Sequence, residues 1–189
     1  MRADWIVIGG GLAGCEAAWQ IARRGLRVRL VEMRPLRSTG AHRTGDLAEL
    51  VCSNSLGSDL PNRASGALKR ELERLGSLLL ACARGAAIPA GGALAVDRAD
   101  LSRRVNAAIE AEPNILLERG EADALPGDPA IVASGPLTSE ALSRAIRRFT
   151  GENHLYFYDA IAPIVTGESL DRGKTFSDAR NESGDDYLN

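Results

Sequence analysis

Apolar residues run unbroken from Trp5 to Ile8, stop at Gly9-Gly10-Gly11, and give way to a segment of helical spacing from Leu12 to Arg24. A second strand-like stretch, Leu26 to Val31, closes on Glu32. A short apolar run bounded by turn residues reads as a buried strand, and apolar recurrence every three to four positions reads as a helix. The pattern therefore predicts a strand near 4–8, a helix near 12–24 and a strand near 27–32, which is a βαβ unit.

Beyond Glu32 the pattern fades. Met33 to Ser65 shows no sustained period and contains Pro35, Gly40, Gly45, Gly57 and Pro61. A connection of that length is uncommon in a compact domain and usually functional. Inside it the apolar island Asp46–Leu56 reads as a short helix. Helical spacing returns in Leu68, Leu72, Leu75, Leu79 and Ala83 and predicts a helix over 67–83. Residues 86–96, with Pro89, Gly91 and Gly92, read as two extended pieces around a turn. Asp100 is placed to cap a helix reaching about residue 111, and strands are expected near 114–119 and 130–133. Thr138 is placed to cap a helix through Phe149. Leu155–Tyr158 and Ala160–Val165 look strand-like, and the tail from Gly167 is polar and weakly periodic.

The first turn carries chemistry. Gly9-x-Gly11-x-x-Gly14 lies between a strand and a helix, where a dinucleotide fingerprint belongs. Gly9 allows the sharp turn, Gly10 continues it, and Gly11 lets the backbone approach a pyrophosphate. Gly14 lets the helix sit close on the sheet, while the N–H groups of the helix start at Leu12 and Ala13 face the phosphates. Glu32 falls 18 residues after Gly14, where a carboxylate accepts hydrogen bonds from a ribose diol. An acid there suits FAD or NAD and repels a 2′-phosphate; the motif alone does not choose between the two. A second signal, Ala130-Ile-Val-Ala-Ser134-Gly135, resembles the later strand that many flavoproteins bring beneath the dinucleotide. Read alone it is equally a plain strand-to-turn junction, but combined with the first motif it favours FAD.

Composition changes this picture little. Aromatics are 4% of the chain, so the core rests on Leu, Ile, Val and Ala. No apolar run approaches the roughly 18 residues of a membrane span, and the first residues read as a strand rather than a signal peptide. Three cysteines without metal spacing suggest a reduced, cytoplasmic chain. The net charge of −2 argues against a uniformly basic nucleic-acid binder, although residues 1–45 hold eight arginines against three acids. Those arginines form either a phosphate-facing surface or a solvated helix end. Arg34 and Arg37 in particular are read as phosphate partners or as solvated.

Cys52, in Leu50-Val-Cys-Ser-Asn-Ser55, has two readings: a thiol acting as nucleophile or acid/base near a flavin, or a small packed residue. Ser53, Asn54 and Ser55 supply hydroxyl and amide groups able to support a thiolate. Cys15 and Cys82 read as packing residues. His42 and His154 lack partners at metal spacing, so no metal site is expected, and His42 reads as an exposed loop residue or, alternatively, a contact to cofactor or substrate.

Taken together these segments resemble the folate- and FAD-dependent tRNA uracil-5-methyltransferases, a GidA-related family. The resemblance runs through Gly9–Gly14, Glu32-Met-Arg-Pro35, Ala48–Leu56, Leu75-Gly-Ser77, Ile88–Arg98, Gly135–Ser139, Phe149–Glu152, Leu155–Ala160, Ala162-Pro-Ile164 and Asp186–Asn189. It implies an α/β fold, a Rossmann-like FAD-binding (GidA-type) parallel sheet with a smaller inserted α+β segment. It further implies a first part of the FAD domain over 1–92, an insertion over 93–129, and a return to the FAD domain over 130–189. The implied activity moves a one-carbon unit from 5,10-methylenetetrahydrofolate to C5 of uridine 54 in the tRNA T-loop, with NAD(P)H as reductant. Cys52 is the catalytic cysteine by this resemblance, and Gly9, Gly10, Gly11, Leu12, Ala13, Gly14, Glu32, Ser134 and Gly135 hold the cofactor. Members of that family are much longer. The resemblance is therefore to their amino-terminal part, with a second catalytic cysteine and much of the folate and tRNA surface expected elsewhere. Two other functions fit the residues: an FAD/NAD(P)H oxidoreductase acting on a small molecule, and a non-catalytic nucleotide-binding module.

Overall fold

The computed structural model describes residues 3–127, 129–152, 166–178 and 187–188. Along the chain these form β1 (Trp5–Ile8), α1 (Leu12–Ala22), β2 (Val28–Glu32), β3 (Ser55–Ser58), α2 (Ala64–Arg74) and α3 (Leu78–Gly85). They continue with β4 (Ala87–Ile88), β5 (Ala93–Val96), α4 (Arg98–Ala111), β6 (Ile115–Arg119), β7 (Ala130–Val132) and α5 (Glu140–Thr150). The expected strands over 155–158 and 160–165, and His154, lie outside the described residues. The chain divides into two compact units, residues 1–49 with 102–160, and residues 50–101 with 161–189.

The first unit is built on a four-stranded parallel sheet in the order β6-β2-β1-β7. Val7 pairs with Leu30 on one side and Ile131 on the other, so β1 is central. Ile6, Val7 and Ile8 are all buried, as expected of a parallel strand covered on both faces. Ile6, Ile8 and Val31 pack with Leu142 of α5, and Ile146, Ala122 and Leu125 extend that cluster. Val7, between Ile6 and Ile8, points to the opposite face. In α1 the buried residues are Gly14, Cys15, Ala18 and Ala22, all small, which is the side-chain size a close helix-to-sheet approach requires. The expected helix over 12–24 stops two residues earlier, at Ala22.

The second unit holds an antiparallel sheet in the order β3-β5-β4 with α2 and α3. The two extended pieces expected over 86–96 are β4 and β5, paired through Ile88 and Ala95. The single helix expected over 67–83 is two helices. Gly76 takes a left-handed φ of 75° after α2, and the Ser77 hydroxyl then accepts the Leu80 N–H at 3.2 Å to start α3. Apolar spacing runs across this break because both helices share the period. Leu68, Leu72 and Leu75 are exposed, while Gly66 and Lys69 are the buried residues of α2. A methyl on Gly66 would overlap the Leu60 carbonyl oxygen, so close backbone contact, not the leucine stripe, sets the inward face. The buried Lys69 ammonium donates to the Ser58 carbonyl at 3.0 Å. Burial pushes its pKa below the ordinary lysine value.

Three smaller expectations are corrected. The island 46–56 forms no helix: Ala48 sits at φ 51°, and the segment instead enters β3 at Ser55. The cap at the start of α4 is Asp97, whose Oδ1 accepts the Asp100 N–H at 2.8 Å. The cap of α5 is Ser139, which accepts the Leu142 N–H at 3.3 Å, while Thr138 bonds back to the Gly135 carbonyl at 2.7 Å.

Candidate functional site

The glycine turn leaves the end of β1 and is enclosed by backbone. The Gly9 N–H donates to the Val31 carbonyl at 2.8 Å, and the Ala133 N–H donates to the Ile8 carbonyl at 2.7 Å. Gly9 has a φ of 105°, and a methyl there would lie 2.6 Å from the Ala133 carbonyl oxygen. The two glycine signals of the sequence thus meet, with Ala133-Ser134 lying directly against Gly9. A methyl on Gly14 would overlap the Gly9 carbonyl oxygen, so α1 can begin here only with glycine at this position. Gly11 differs: nothing lies within 4 Å of where its side chain would project. No side chain caps α1, and its first turn, Leu12 and Ala13, presents the N–H groups that a helix start leaves without internal partners. Open space at Gly11 beside an uncapped helix start fits a pyrophosphate.

Glu32 at the end of β2 is buried and accepts three hydrogen bonds. Its Oε2 accepts the Gly10 N–H at 2.7 Å, and its Oε1 accepts both the Arg34 N–H at 2.9 Å and Arg34 Nε at 2.8 Å. Burial by itself would raise this carboxyl, but the Arg34 side-chain and backbone bonds and the Gly10 N–H outweigh it and hold the group below its ordinary value. Arg34 is 2% exposed and reaches on to Glu49 Oε2 at 3.0 Å. It is neither solvated nor a phosphate partner, because its charge is spent between two carboxylates. Arg37 pairs instead with Glu121. Glu49 closes its own loop by accepting the Arg43 N–H at 2.9 Å and the Thr44 hydroxyl at 2.9 Å. The Gly10 carbonyl accepts the Ala48 N–H at 2.9 Å and the Cys15 thiol at 3.3 Å. Burial, helped by the Glu32 charge, pushes Cys15 up to about 12, so it stays a thiol and packs. His42 is half-buried and bonds Thr39 at 2.7 Å, rather than standing exposed.

Sequence reasoning offers Arg34 only as a phosphate partner or a solvated residue, and gives Leu47, Ala48 and Glu49 no part in this site. Leu47 is fully buried, and a methyl on Gly10 would lie 2.5 Å from its side chain. Their one signal in the sequence is the acid-x-base spacing of Glu32 and Arg34, which places a guanidinium beside the carboxylate. Ser134 and Gly135 close the second turn: Ser134 Oγ bonds Thr138 Oγ1 at 2.6 Å, and Gly135 takes a φ of 66°.

Cys52 belongs to the second unit, where its segment is held mostly by side-chain-to-backbone hydrogen bonds. The thiol residue is half-buried, and its carbonyl accepts Arg98 Nη2 at 2.9 Å. Asn54 is pinned to Val96 twice, its Nδ2 donating to the Val96 carbonyl at 3.3 Å and its own carbonyl accepting the Val96 N–H at 3.0 Å. Ser53 Oγ accepts the Ser55 N–H at 3.0 Å, and Ser55 Oγ accepts the Gly57 N–H at 3.2 Å. The polar neighbours read as support for a thiolate are therefore engaged in shaping the loop. Cys82 is buried on α3. Among the described residues no group of three or more His, Cys, Asp or Glu is arranged to hold a metal ion, and no helix is long and apolar enough to cross a membrane.

The sequence profile of the family described as glucose inhibited division protein A (GidA) matches residues 4–189. The chain belongs to the GidA family. Within it, the chain is 60% identical over 185 residues to a protein of Syntrophomonas wolfei named methylenetetrahydrofolate–tRNA-(uracil-5-)-methyltransferase TrmFO, covering 97% of this chain and 42% of that protein. Proteins of the same name match from Moorella thermoacetica, at 56% identity over 97% of this chain and 43% of theirs. The Aquifex aeolicus protein of that name matches at 53% over 100% of this chain and 43% of its own length. The chain thus spans less than half the length of these relatives. Among solved structures, Aquifex aeolicus GidA in its form II crystal superposes with a TM-score of 0.63 at 18% identity, over 78% of this chain and 31% of that one. Its form I crystal gives 0.58 at 17% identity, over 72% and 26%. The fold is shared: a Rossmann-like α/β architecture on a parallel sheet, as the first thirty residues predict.

Proposed function

We propose that this GidA-family chain contributes the dinucleotide site and a catalytic cysteine to an FAD- and folate-dependent tRNA (uracil-5-)-methyltransferase. The observation that carries the reading is the approach of Ala133-Ser134 onto Gly9, with open space left at Gly11. In this reading Gly9, Gly10, Gly11 and Gly14 shape the turn, and Leu12 and Ala13 offer N–H groups to the pyrophosphate. Glu32 binds the adenosine ribose, and Ser134 and Gly135 line the dinucleotide from the second turn. When bound, FAD supplies two-electron chemistry and carries the one-carbon unit from 5,10-methylenetetrahydrofolate, with NAD(P)H as reductant. Cys52 acts on uridine 54 of the T-loop. C5 of uracil is a poor nucleophile until a thiolate adds at C6 or a base removes the C5 proton, and a half-buried cysteine suits either role. The identity of more than half to proteins named for this reaction supports the assignment.

A cytoplasmic location follows from a tRNA substrate and is supported by three free cysteines. The domain division of 1–92, 93–129 and 130–189 is likewise proposed. By pairing, β6 joins the first sheet and β5 the second, so limited proteolysis tests this division against cuts near 49 and 101. The primary test is the visible spectrum of the purified chain, in which flavin bands are expected. A colourless protein that takes up no added FAD would exclude the reading. In the longer relatives' setting, substituting the residue equivalent to Cys52 with Ala should abolish methyl transfer. Retained NAD(P)H oxidation with no tRNA methylation by the unsubstituted protein would favour a small-molecule oxidoreductase.

A further inference from the structure

We infer that Glu32 reads one hydroxyl of the adenosine ribose rather than the diol, and that Arg34 is the positioning residue that limits it to one. The inference deepens the dinucleotide reading above and rests on it. A carboxylate offers about four acceptor positions. In Glu32, Oε1 is filled by the Arg34 N–H at 2.9 Å and Arg34 Nε at 2.8 Å, and Oε2 takes the Gly10 N–H at 2.7 Å. The remaining position lies on Oε2, next to the backbone of the glycine turn.

Arg34 is not free to swing away and release Oε1. Its guanidinium is also bound to Glu49 Oε2 at 3.0 Å. Glu49 in turn is fixed by the Arg43 N–H at 2.9 Å, the Thr44 N–H at 3.2 Å and the Thr44 hydroxyl at 2.9 Å. The loop over 43–49 holds Glu49, Glu49 holds Arg34, and Arg34 occupies one oxygen of Glu32. A clamp on both ribose hydroxyls would need both oxygens. The same arrangement spends the guanidinium that could otherwise neutralise a 2′-phosphate, so the site favours an unphosphorylated ribose.

The test uses the 189-residue chain and three flavin ligands: FAD, its analogue lacking the adenosine 2′-hydroxyl, and its analogue lacking the 3′-hydroxyl. Dissociation constants are read from quenching of flavin fluorescence. One analogue should bind about tenfold more weakly than FAD, the scale of one charge-assisted hydrogen bond, and the other should stay within about twofold. Equal loss with both analogues would mean a diol clamp and overturn the inference, as would no loss with either. Absence of FAD binding would instead remove the dinucleotide reading itself. Arg34→Gln should narrow the contrast between the analogues, and Arg34→Lys should restore part of it. If both variants weaken all three ligands equally, Arg34 has only a structural part and the positioning role fails.

Discussion

The glycine turn and the Val-Cys-Ser-Asn-Ser segment are both loops to which the proposed function gives a role, yet they are held in opposite ways. Around Gly9, Gly10 and Gly14 the space a side chain would need is filled by carbonyl oxygens, a leucine and a buried carboxylate. Around Cys52 the restraints are turn-forming hydroxyls and two Asn54–Val96 bonds, one of them from the Asn54 side-chain amide, with the cysteine half-buried. A phosphate site needs fixed N–H groups, so rigidity comes from backbone packing and buried charge. A thiol that reacts, as proposed for Cys52, needs access, and its loop is pinned at the flanks. The first region should break sharply under small changes and the second should not.

The largest break expected is Arg34→Met. It leaves the buried Glu32 and the partly buried Glu49 without their shared cation, and loss of about 3–5 kcal/mol should appear in urea unfolding. Gly14→Ala should follow, at roughly 3 kcal/mol or more, because the intruded atom is backbone and cannot yield as a side chain would. An unfolding midpoint equal to the parent's would contradict the packing described.

Acid should act on the same region. The Glu32 carboxyl is held below its ordinary value of 4.5, so the unfolded chain binds its proton first as pH falls. The stability it contributes is present above 4.5 and is lost as pH drops through the lower folded value. Glu49, also held low, adds to this in the same direction. Unfolding measured against pH should therefore steepen below about 4.5, and Glu32→Gln should flatten that limb.

Two smaller effects sharpen the contrast. Gly11→Ala meets open space, so stability should change by less than about 1 kcal/mol while FAD affinity falls. That outcome would separate Gly11, proposed to face a ligand, from the neighbours that serve packing. Cys52→Ala should shift stability by no more than about 0.5–1 kcal/mol, since the Arg98 hydrogen bond at that residue is accepted by its carbonyl, which alanine keeps. A thermal melt showing a much larger loss would place the thiol in the core.

Much of this was legible beforehand. Local patterns gave β1, α1 and β2 nearly to the residue, because strand burial and helix periodicity are written in consecutive positions. The break at Gly76-Ser77 was legible in residue type, yet the leucine period across it concealed two helices. The inward face of α2 was not legible, since it depends on how closely Gly66 approaches Leu60.

What the sequence determined alone is the dinucleotide turn, its acid at Glu32, the Cys52 segment and the family to which the chain belongs. Only the tertiary structure decided that Ala133 presses on Gly9, that Glu49 shares Arg34 with Glu32, and that Glu32 takes three hydrogen bonds from Gly10 and Arg34. The physical reason is range. Turn and period are set by neighbours a few residues apart, whereas two carboxylates share a cation only after the fold has brought Glu32, Arg34 and Glu49 together.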